Sequence, residues 1–469
     1  MSKVIIMGGG PAGLASAYKL QENNLKSYIF EADSQVGGIS KTINYKNFYF
    51  DLGGHRFFTK FGEVNELWNN ILKDNLKNTP RLSRIYYNNK FFNYPLTPMN
   101  ALLGMGIANS IGILFSYLKS KLFPYQKEET FEQWVSNKFG KKLYSIFFKT
   151  YTEKVWGIPC SFIQAEWAAQ RIKNLSLKTA ILNSLFKSKN TNIKTLIDEF
   201  HYPVLGPGMM YEEMKNQIIK MHGKFFTNTR VSKVCHENSI IKSIEYTDEN
   251  QEKHTQEGEH FISSIPVTEL ISILSPSPSE AILNAAKALK YRSLITVDII
   301  INKKNVFPDN WIYIHSPDVK LGRIQNFKNW SLKMIPDQNK TSLGLEYFCN
   351  ENDEFYNMTN EELFKIAASE IEKLCLCKSA DIEDYTVIRI PKAYPVYDIG
   401  YKKHINLIKD YLKEFRNLEL AGRYGLFKYN NMDHSILTGL HSATNIIKGK
   451  RIYDTWNINV DEEYHEEIK

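Results

Sequence analysis

The chain has 469 residues, 43% of them hydrophobic and 23% charged, values of an ordinary globular protein that exceed what one core holds, so two or three domains are expected. Its net charge of +8 is spread along the sequence rather than gathered into a basic tract, which argues against a nucleic-acid footprint and mildly favours anionic small molecules. The five cysteines (Cys160, Cys235, Cys349, Cys375, Cys377) lack paired zinc spacing and suit a reduced, cytoplasmic protein.

The first residues form a strand-like run, Val4-Ile5-Ile6-Met7, which leaves no room for a signal peptide and suits a parallel strand buried on both faces. It leads into Gly8-Gly9-Gly10-Pro11-Ala12-Gly13 and a helical pattern through Leu14, Tyr18 and Leu20. A second apolar run, Ser27-Tyr28-Ile29-Phe30, ends in Glu31, close to the ~20-residue spacing of a ribose-binding carboxylate. Gly8 permits a tight turn, Gly10 lets the backbone approach a pyrophosphate, and Gly13 lets helix and strand pack closely. The helix N-terminus, with Pro11 and Ala12, supplies partial positive charge. Together these read as a dinucleotide site. Two more glycine pairs follow, in Val36-Gly37-Gly38-Ile39-Ser40 and Leu52-Gly53-Gly54-His55. They suit a second close approach to a large planar cofactor, FAD rather than NAD, although Gly-Gly is also common turn chemistry.

Residues Arg84 to Phe92 read as a hairpin about Asn88-Asn89. From Pro98 to Leu185 the pattern is helical. Within it Ala101 to Leu118 carries no charge; a helix buried in a helical domain is the favoured reading, a membrane-touching helix the alternative. Strands are expected over Phe225 to Tyr246, which includes Val234 as a further cofactor contact, over Glu259 to Pro266, Ile295 to Ile301 and Thr341 to Tyr347, and at Leu418-Glu419-Leu420. Helices are expected at Asn360 to Leu376, His404 to Phe415 and His434 to Lys448. The fold class that results is α/β: a discontinuous Rossmann-type FAD-binding domain with an inserted helical domain and an antiparallel β-sheet substrate domain. The expected boundaries are 1–80 with 203–275 and 416–469 for the cofactor domain, 98–202 for the helical domain, and 81–97 with 276–415 for the mixed-sheet domain.

Several later stretches resemble the UDP-galactopyranose mutases, within the wider group of amine oxidase and protoporphyrinogen oxidase flavoproteins. Tyr151-Thr152-Glu153-Lys154-Val155-Trp156-Gly157 is similar to the mutase tract that supplies a nucleotide pocket. Phe147 and Tyr151, four apart on a helix, would share a face and sandwich a uracil ring, or else pack as an aromatic stripe in the core. Gly322-Arg323-Ile324-Gln325 resembles the mutase strand whose arginine binds the substrate diphosphate; with Arg171 it offers two planar guanidinium forks. Ala393-Tyr394-Pro395-Val396 resembles another mutase segment and is expected to be a structural turn. Gly422-Arg423-Tyr424-Gly425-Leu426-Phe427-Lys428-Tyr429-Asn430-Asn431-Met432-Asp433 is the most specific match. There the resemblance places Tyr429 beside the sugar phosphates and the Met432–Asp433 backbone against the flavin, with Asn431 where the mutases carry an acid.

The resemblance implies a nucleoside-diphosphate-sugar substrate and a pyranose–furanose isomerisation in which N5 of reduced FAD is the nucleophile. His55, Arg323 and Tyr429 are then the candidate catalytic residues. Phe147, Tyr151, Trp156 and Arg171 are further substrate contacts, and Ser40, Gly54, Gly422 and Arg423 join the glycines around the cofactor. The competing reading is an FAD-dependent oxidoreductase of the wider group. A monomer or homodimer without nucleic acid is expected in either case.

Overall fold

The computed structural model describes residues 3–94, 96, 98–165 and 199–459. Arg171, expected as a phosphate ligand, lies outside the described residues.

A parallel five-stranded sheet organises the cofactor side, in the order Leu418–Leu420, His260–Ser263, Lys3–Met7, Lys26–Phe30, Lys224–Phe226. Its strands come from the start, middle and end of the chain. The central strand shows why its sequence is an unbroken apolar run. Val4 and Ile6 face one core, and Ile5 and Met7 face the other; each such side chain fully buried contributes about 1.5–3 kcal/mol. The first core is closed by helices Pro11–Glu22, Gly208–Lys220 and Met432–Ile447. The second is closed by Val267–Ile273, Glu280–Ala288 and Tyr401–Lys413. The first helix and the closing helix touch closely. A Cβ on Gly439 would stand 2.2 Å from the Ala12 carbonyl oxygen, and Ser16 Oγ donates to the Gly439 carbonyl at 3.0 Å.

A mixed seven-stranded sheet forms the other half. Its order is Ile382–Pro395, Tyr291–Ile301, Thr341–Cys349, Arg323–Asn326, Trp311–Ile314, Ser83–Tyr87, Lys90–Asn93. All its neighbours are antiparallel except Trp311–Ile314 with Ser83–Tyr87. The last two strands are the expected hairpin, and Asn88 and Asn89 both take positive φ, at 50° and 56°, as a two-residue turn of that hand requires.

The expected buried helix over Ala101 to Leu118 is not what forms. Gly106, at φ +80°, divides the segment into Pro98–Met105 and Ile107–Leu122, and of the second helix Ile113 alone is buried. Among the described residues no helix is long and apolar enough to cross a membrane. The five cysteines are all free.

Candidate functional site

A cavity of about 1000 Å³ opens along the carboxyl edge of the parallel sheet. Four strands end at its wall, delivering Gly8, Glu31, Ser264 and Gly422 to the lining. Such an edge is where open α/β sheets receive ligands, because the helix N-termini that follow the strands converge there. No side chain caps the first helix at Gly10, so its leading N–H groups are left for a ligand.

The glycine loops make the close approaches expected of them. Gly8 sits at φ +101°, and a Cβ on Gly13 would lie 1.9 Å from the Gly8 carbonyl oxygen. Gly37, at φ +102°, donates its N–H to the Gly9 carbonyl at 2.9 Å. Gly38 lies against Gly10, where a Cβ would come within 3.4 Å of the Gly10 Cα. Bare backbone from two loops therefore forms one face of the cavity. Glu31 is fixed beside it: Gly9 N–H donates to Oε2 at 2.6 Å and Asp33 N–H to Oε1 at 2.9 Å. Burial pushes its carboxyl above the ordinary value, against these two donors.

Of the expected cofactor contacts, Gly8, Gly10, Pro11, Ala12, Glu31, Gly38, Ser40, Gly54, His55, Gly422, Arg423, Met432 and Asp433 line this cavity. Gly13 and Gly37 shape it from behind. Val234 sits elsewhere: fully buried, it packs with Ile5, Met7 and Phe30, and it is Arg230 and Val231 of that strand that reach the cavity. Val231 packs against the same apolar cluster as Val234, and a bulge between Val231 and Lys233 breaks the alternation of the strand; it is the start of the strand that meets the cavity, and Val234 lies farther along it.

Beyond the cradle the wall becomes aromatic and cationic. Tyr429 stacks on Tyr394 (centroids 5.5 Å, 16°), with the Arg423 guanidinium 4.9 Å from the Tyr429 ring. Arg423 is anchored by donating to the Asn430 and Ala393 carbonyls, both at 2.9 Å, and the Tyr429 N–H donates to Tyr397 Oη at 2.6 Å. Trp156 backs the group, 6.1 Å from the Tyr429 ring. Tyr394, expected in a structural turn, is instead a cavity residue at the end of strand Ile382–Pro395.

Arg323 is placed across from Glu346 by strand register. Its Nε bonds both carboxylate oxygens at 2.9 Å and its Nη2 bonds Oε2 at 2.5 Å. Glu346 is fully buried and also accepts from Gln325 Nε2 at 2.7 Å. Arg323 Nη1 has no partner among the described residues, so one edge of the guanidinium is held and the other is presented.

Phe147 and Tyr151 do not bracket an open slot. Residues Tyr144–Lys149 wind as a π-helix, so Phe147 lies inside a turn where the four-residue spacing no longer superposes side chains. Tyr151 stacks on His315 at 4.8 Å and 6°, while Phe147 meets Phe92 edge-on at 5.1 Å and the same His315 ring at 6.5 Å. The face of Tyr151 expected to meet a base is thus covered by the His315 imidazole.

His55 and His315 are both held neutral. Burial, then the charges of Arg423 and Arg323, lowers His55 to about 3; burial and Lys154 lower His315 to about 3. The His55 Nδ1 is buried without a partner, beside a cradle lined by glycine. That orphan fits a planar heterocycle with hydrogen-bonding atoms at its rim. His315 is only 5% exposed, and its lowered value has a measurable consequence. Above the ordinary value of 6.5 it is neutral in folded and unfolded chains alike. As pH falls from 6.5 toward 3 the unfolded chain takes the proton and the folded chain does not, so stability is lost. His315→Gln is expected to abolish that part of the acid loss: between pH 7.5 and 4.5 the wild type should lose about 2–3 kcal/mol more than the variant. Urea midpoints at both pH values check this; parallel losses would refute it.

Sequence reasoning missed Arg56, Tyr94, Trp311, Tyr313 and Glu346. The first four line the cavity; Arg56 follows His55 directly, and its guanidinium lies 5.2 Å from the Trp311 ring. Glu346 carried a usable signal, since an acid inside the apolar run Leu343-Gly344-Leu345-Glu346-Tyr347 must find a cation or a donor.

A family model for flavin containing amine oxidoreductases matches residues 11–447. Over 69 residues the chain is 33% identical to protoporphyrinogen oxidase 2, chloroplastic/mitochondrial, of Arabidopsis thaliana, covering 15% of this chain and 14% of that protein. Among solved structures, a reduced UDP-galactopyranose mutase superposes with a TM-score of 0.85 at 21% identity, over 100% of both chains. A putative protoporphyrinogen oxidase from Exiguobacterium sp. 255-15 gives 0.73 at 15% identity, over 96% of this chain and 99% of that one. A putrescine oxidase variant gives 0.65 at 14% identity, over 96% and 99%. Likeness at these identities establishes the fold; the family match, spanning most of the chain and both walls of the cavity, places this protein among the flavin containing amine oxidoreductases.

Proposed function

We propose that the protein is an FAD-dependent sugar-nucleotide mutase that interconverts pyranose and furanose forms of a nucleoside-diphosphate sugar. The observation that carries this reading is the single cavity joining the glycine cradle to a wall of Arg56, Arg323, Arg423, Tyr394 and Tyr429. Guanidinium groups at the far end suit a diphosphate, and an amine substrate, itself a cation, has no use for them; the carboxylates of a porphyrinogen are the other anions they could hold.

Reduced FAD, when bound, supplies the nucleophilic nitrogen that such a ring isomerisation needs. The protein's residues bind, orient and exclude water. The first helix and the closing helix offer their N-termini to the cofactor. Glu31 holds acceptor atoms at the ribose end. His55 keeps a neutral imidazole beside the cradle, with Nδ1 facing no protein partner. Arg323 presents Nη1 toward the diphosphate, Arg423 holds Tyr394 and Tyr429 in register, and the tyrosine rings cover the sugar phosphates.

A second reading, an oxidoreductase of the wider family, draws on the Glu346 carboxylate, which neutralises Arg323 and makes the wall less cationic than its arginine count suggests. One experiment separates the two. The dithionite-reduced holoenzyme is incubated with UDP-hexopyranoses and UDP-hexofuranoses, and the nucleotide sugars are resolved by chromatography. Ring interconversion without consumption of an electron acceptor is expected. Turnover of an amine or porphyrinogen that requires an acceptor, with no change in any nucleotide sugar, would establish the second reading.

A further inference from the structure

The helix Ile107–Leu122 is amphipathic the wrong way round. Its inward face carries Ile113 and Tyr117 beside small and polar residues that seat it on the helices after it. Ser116 Oγ accepts from Lys142 N–H at 2.9 Å, a Cβ on Gly112 would lie 2.4 Å from Lys142 Nζ, and Gly140 lies against the Tyr117 backbone, where a Cβ would stand 2.8 Å away. Apart from Ile113, the aliphatic residues and Phe115 point outward. Ile107, Ile111, Leu114, Phe115, Leu118 and Leu122 are all exposed, Ile107 at 81%, Phe115 at 69% and Leu122 at 74%, and at 3.6 residues per turn they fall within an arc of about 100°. Phe123 extends the stripe at 76% exposure. No described residue packs over it.

Charge identifies what covers this face. Lys119 and Lys121 flank the stripe on its two edges, one on each side at that pitch; the Lys121 ammonium donates to the Asn137 carbonyl at 2.9 Å, which leaves Lys119 as the outward charge of the pair. From Asp74 to Glu128 the chain carries seven Lys and Arg residues and no acid between those two. A contiguous apolar stripe edged by lysines on an acid-free stretch matches a lipid interface: hydrocarbon below, anionic headgroups at the rim. The helix has 16 residues, and with two lysines in its last turn it is built to lie in the interface rather than cross it.

We propose that Ile107–Leu122 is a membrane-docking helix that lays its apolar face into the surface of an anionic bilayer, with Lys119 at the phosphate level. The proposal is independent of the reaction the flavin site performs. The test is co-sedimentation of the full-length holoprotein with vesicles of phosphatidylcholine alone and of phosphatidylcholine mixed with phosphatidylglycerol. The wild type is expected to pellet with the mixed vesicles, more weakly with phosphatidylcholine, and less as salt rises. The triple variant Ile111→Ser/Phe115→Ser/Leu118→Ser should lose at least about ten-fold in partitioning, with flavin content and melting temperature unchanged. Lys119→Glu should lose much of the preference for the anionic vesicles. As a measurement that does not depend on the triple variant folding, Phe115→Trp should show blue-shifted emission on the mixed vesicles. The proposal is overturned if the wild type stays in the supernatant with both vesicles, or if the Phe115→Trp emission does not move. It is equally overturned if sedimentation velocity finds a dimer that the triple variant dissociates while neither protein binds lipid, since the covering surface is then a second copy.

Discussion

Gly13→Ala is expected to be recovered largely without flavin, whereas Gly10→Ala should fold normally and lose only cofactor affinity. The two glycines lie three residues apart and differ in what a methyl group would meet. At Gly13 it would stand 1.9 Å from the Gly8 carbonyl oxygen, which is backbone with no side chain to swing aside. The first helix must then lift from the strand it follows, and the Ser16 and Gly439 contacts that tie it to the closing helix are lost with it. At Gly10 the nearest atoms, in Gly38, are 3.9 Å away, and φ is an unstrained −76°. A methyl there fits the protein but projects into the space between the two glycine loops, which is the space the cofactor needs. A weakening of FAD binding by about 100-fold, about 2.7 kcal/mol, is expected for each; only Gly13→Ala should also lower the melting temperature of the flavin-free protein. Gly62→Ala, with nothing within 4 Å, is the control for adding a methyl. Bound flavin per protein and titration of the apoprotein with FAD give the readout, and a Gly13→Ala protein with wild-type flavin content would remove the cradle from the account.

How much of this was legible in the sequence follows from the distance over which each feature is specified. The strand, glycine loop, helix and acid of the cradle lie within the first 31 residues, and local chemistry alone dictates them: a positive φ at Gly8, a close packing at Gly13, an acid at the end of the second strand. The Asn88-Asn89 hairpin was legible for the same reason. What failed depended on partners remote in sequence. The ion pair of Arg323 with Glu346 is set by strand register, which neither segment encodes alone, so Arg323 read as a free fork. Phe147 and Tyr151 were read with α-helical spacing, and a π turn changed the phase. Val234 has the sequence of a strand residue near the cofactor, but how far along a strand the cavity reaches is decided by the elements around it, and here it stops at Arg230 and Val231. The apolar run at Ala101 to Leu118 shows the limit most clearly. Its composition is plain in the sequence, yet the same stripe serves a buried helix and an exposed one. The side it turns to the protein is fixed by Gly112 and Ser116, whose small size matters only because Gly140 and Lys142 approach them.

Arg323→Ala should cost the folded protein about 3–5 kcal/mol, because it strands a fully buried carboxylate rather than merely removing a surface charge. Glu346 is 0% exposed and keeps only Gln325 as a donor once the guanidinium is gone. The double variant Arg323→Ala/Glu346→Gln removes the charge along with its partner and should recover most of the stability, while the role of Arg323 toward substrate stays absent. That separation is the purpose of the pair. If Nη1 of Arg323 meets a diphosphate, UDP binding to the reduced holoenzyme should fall about 10- to 150-fold in both variants, the range of a charge-assisted hydrogen bond worth 1.5–3 kcal/mol. Urea midpoints report the stability and calorimetric titration with UDP reports the binding. Recovery of UDP affinity in the double variant, in step with stability, would show that Arg323 only neutralises Glu346, and the diphosphate wall would have to be sought at Arg56 and Arg423.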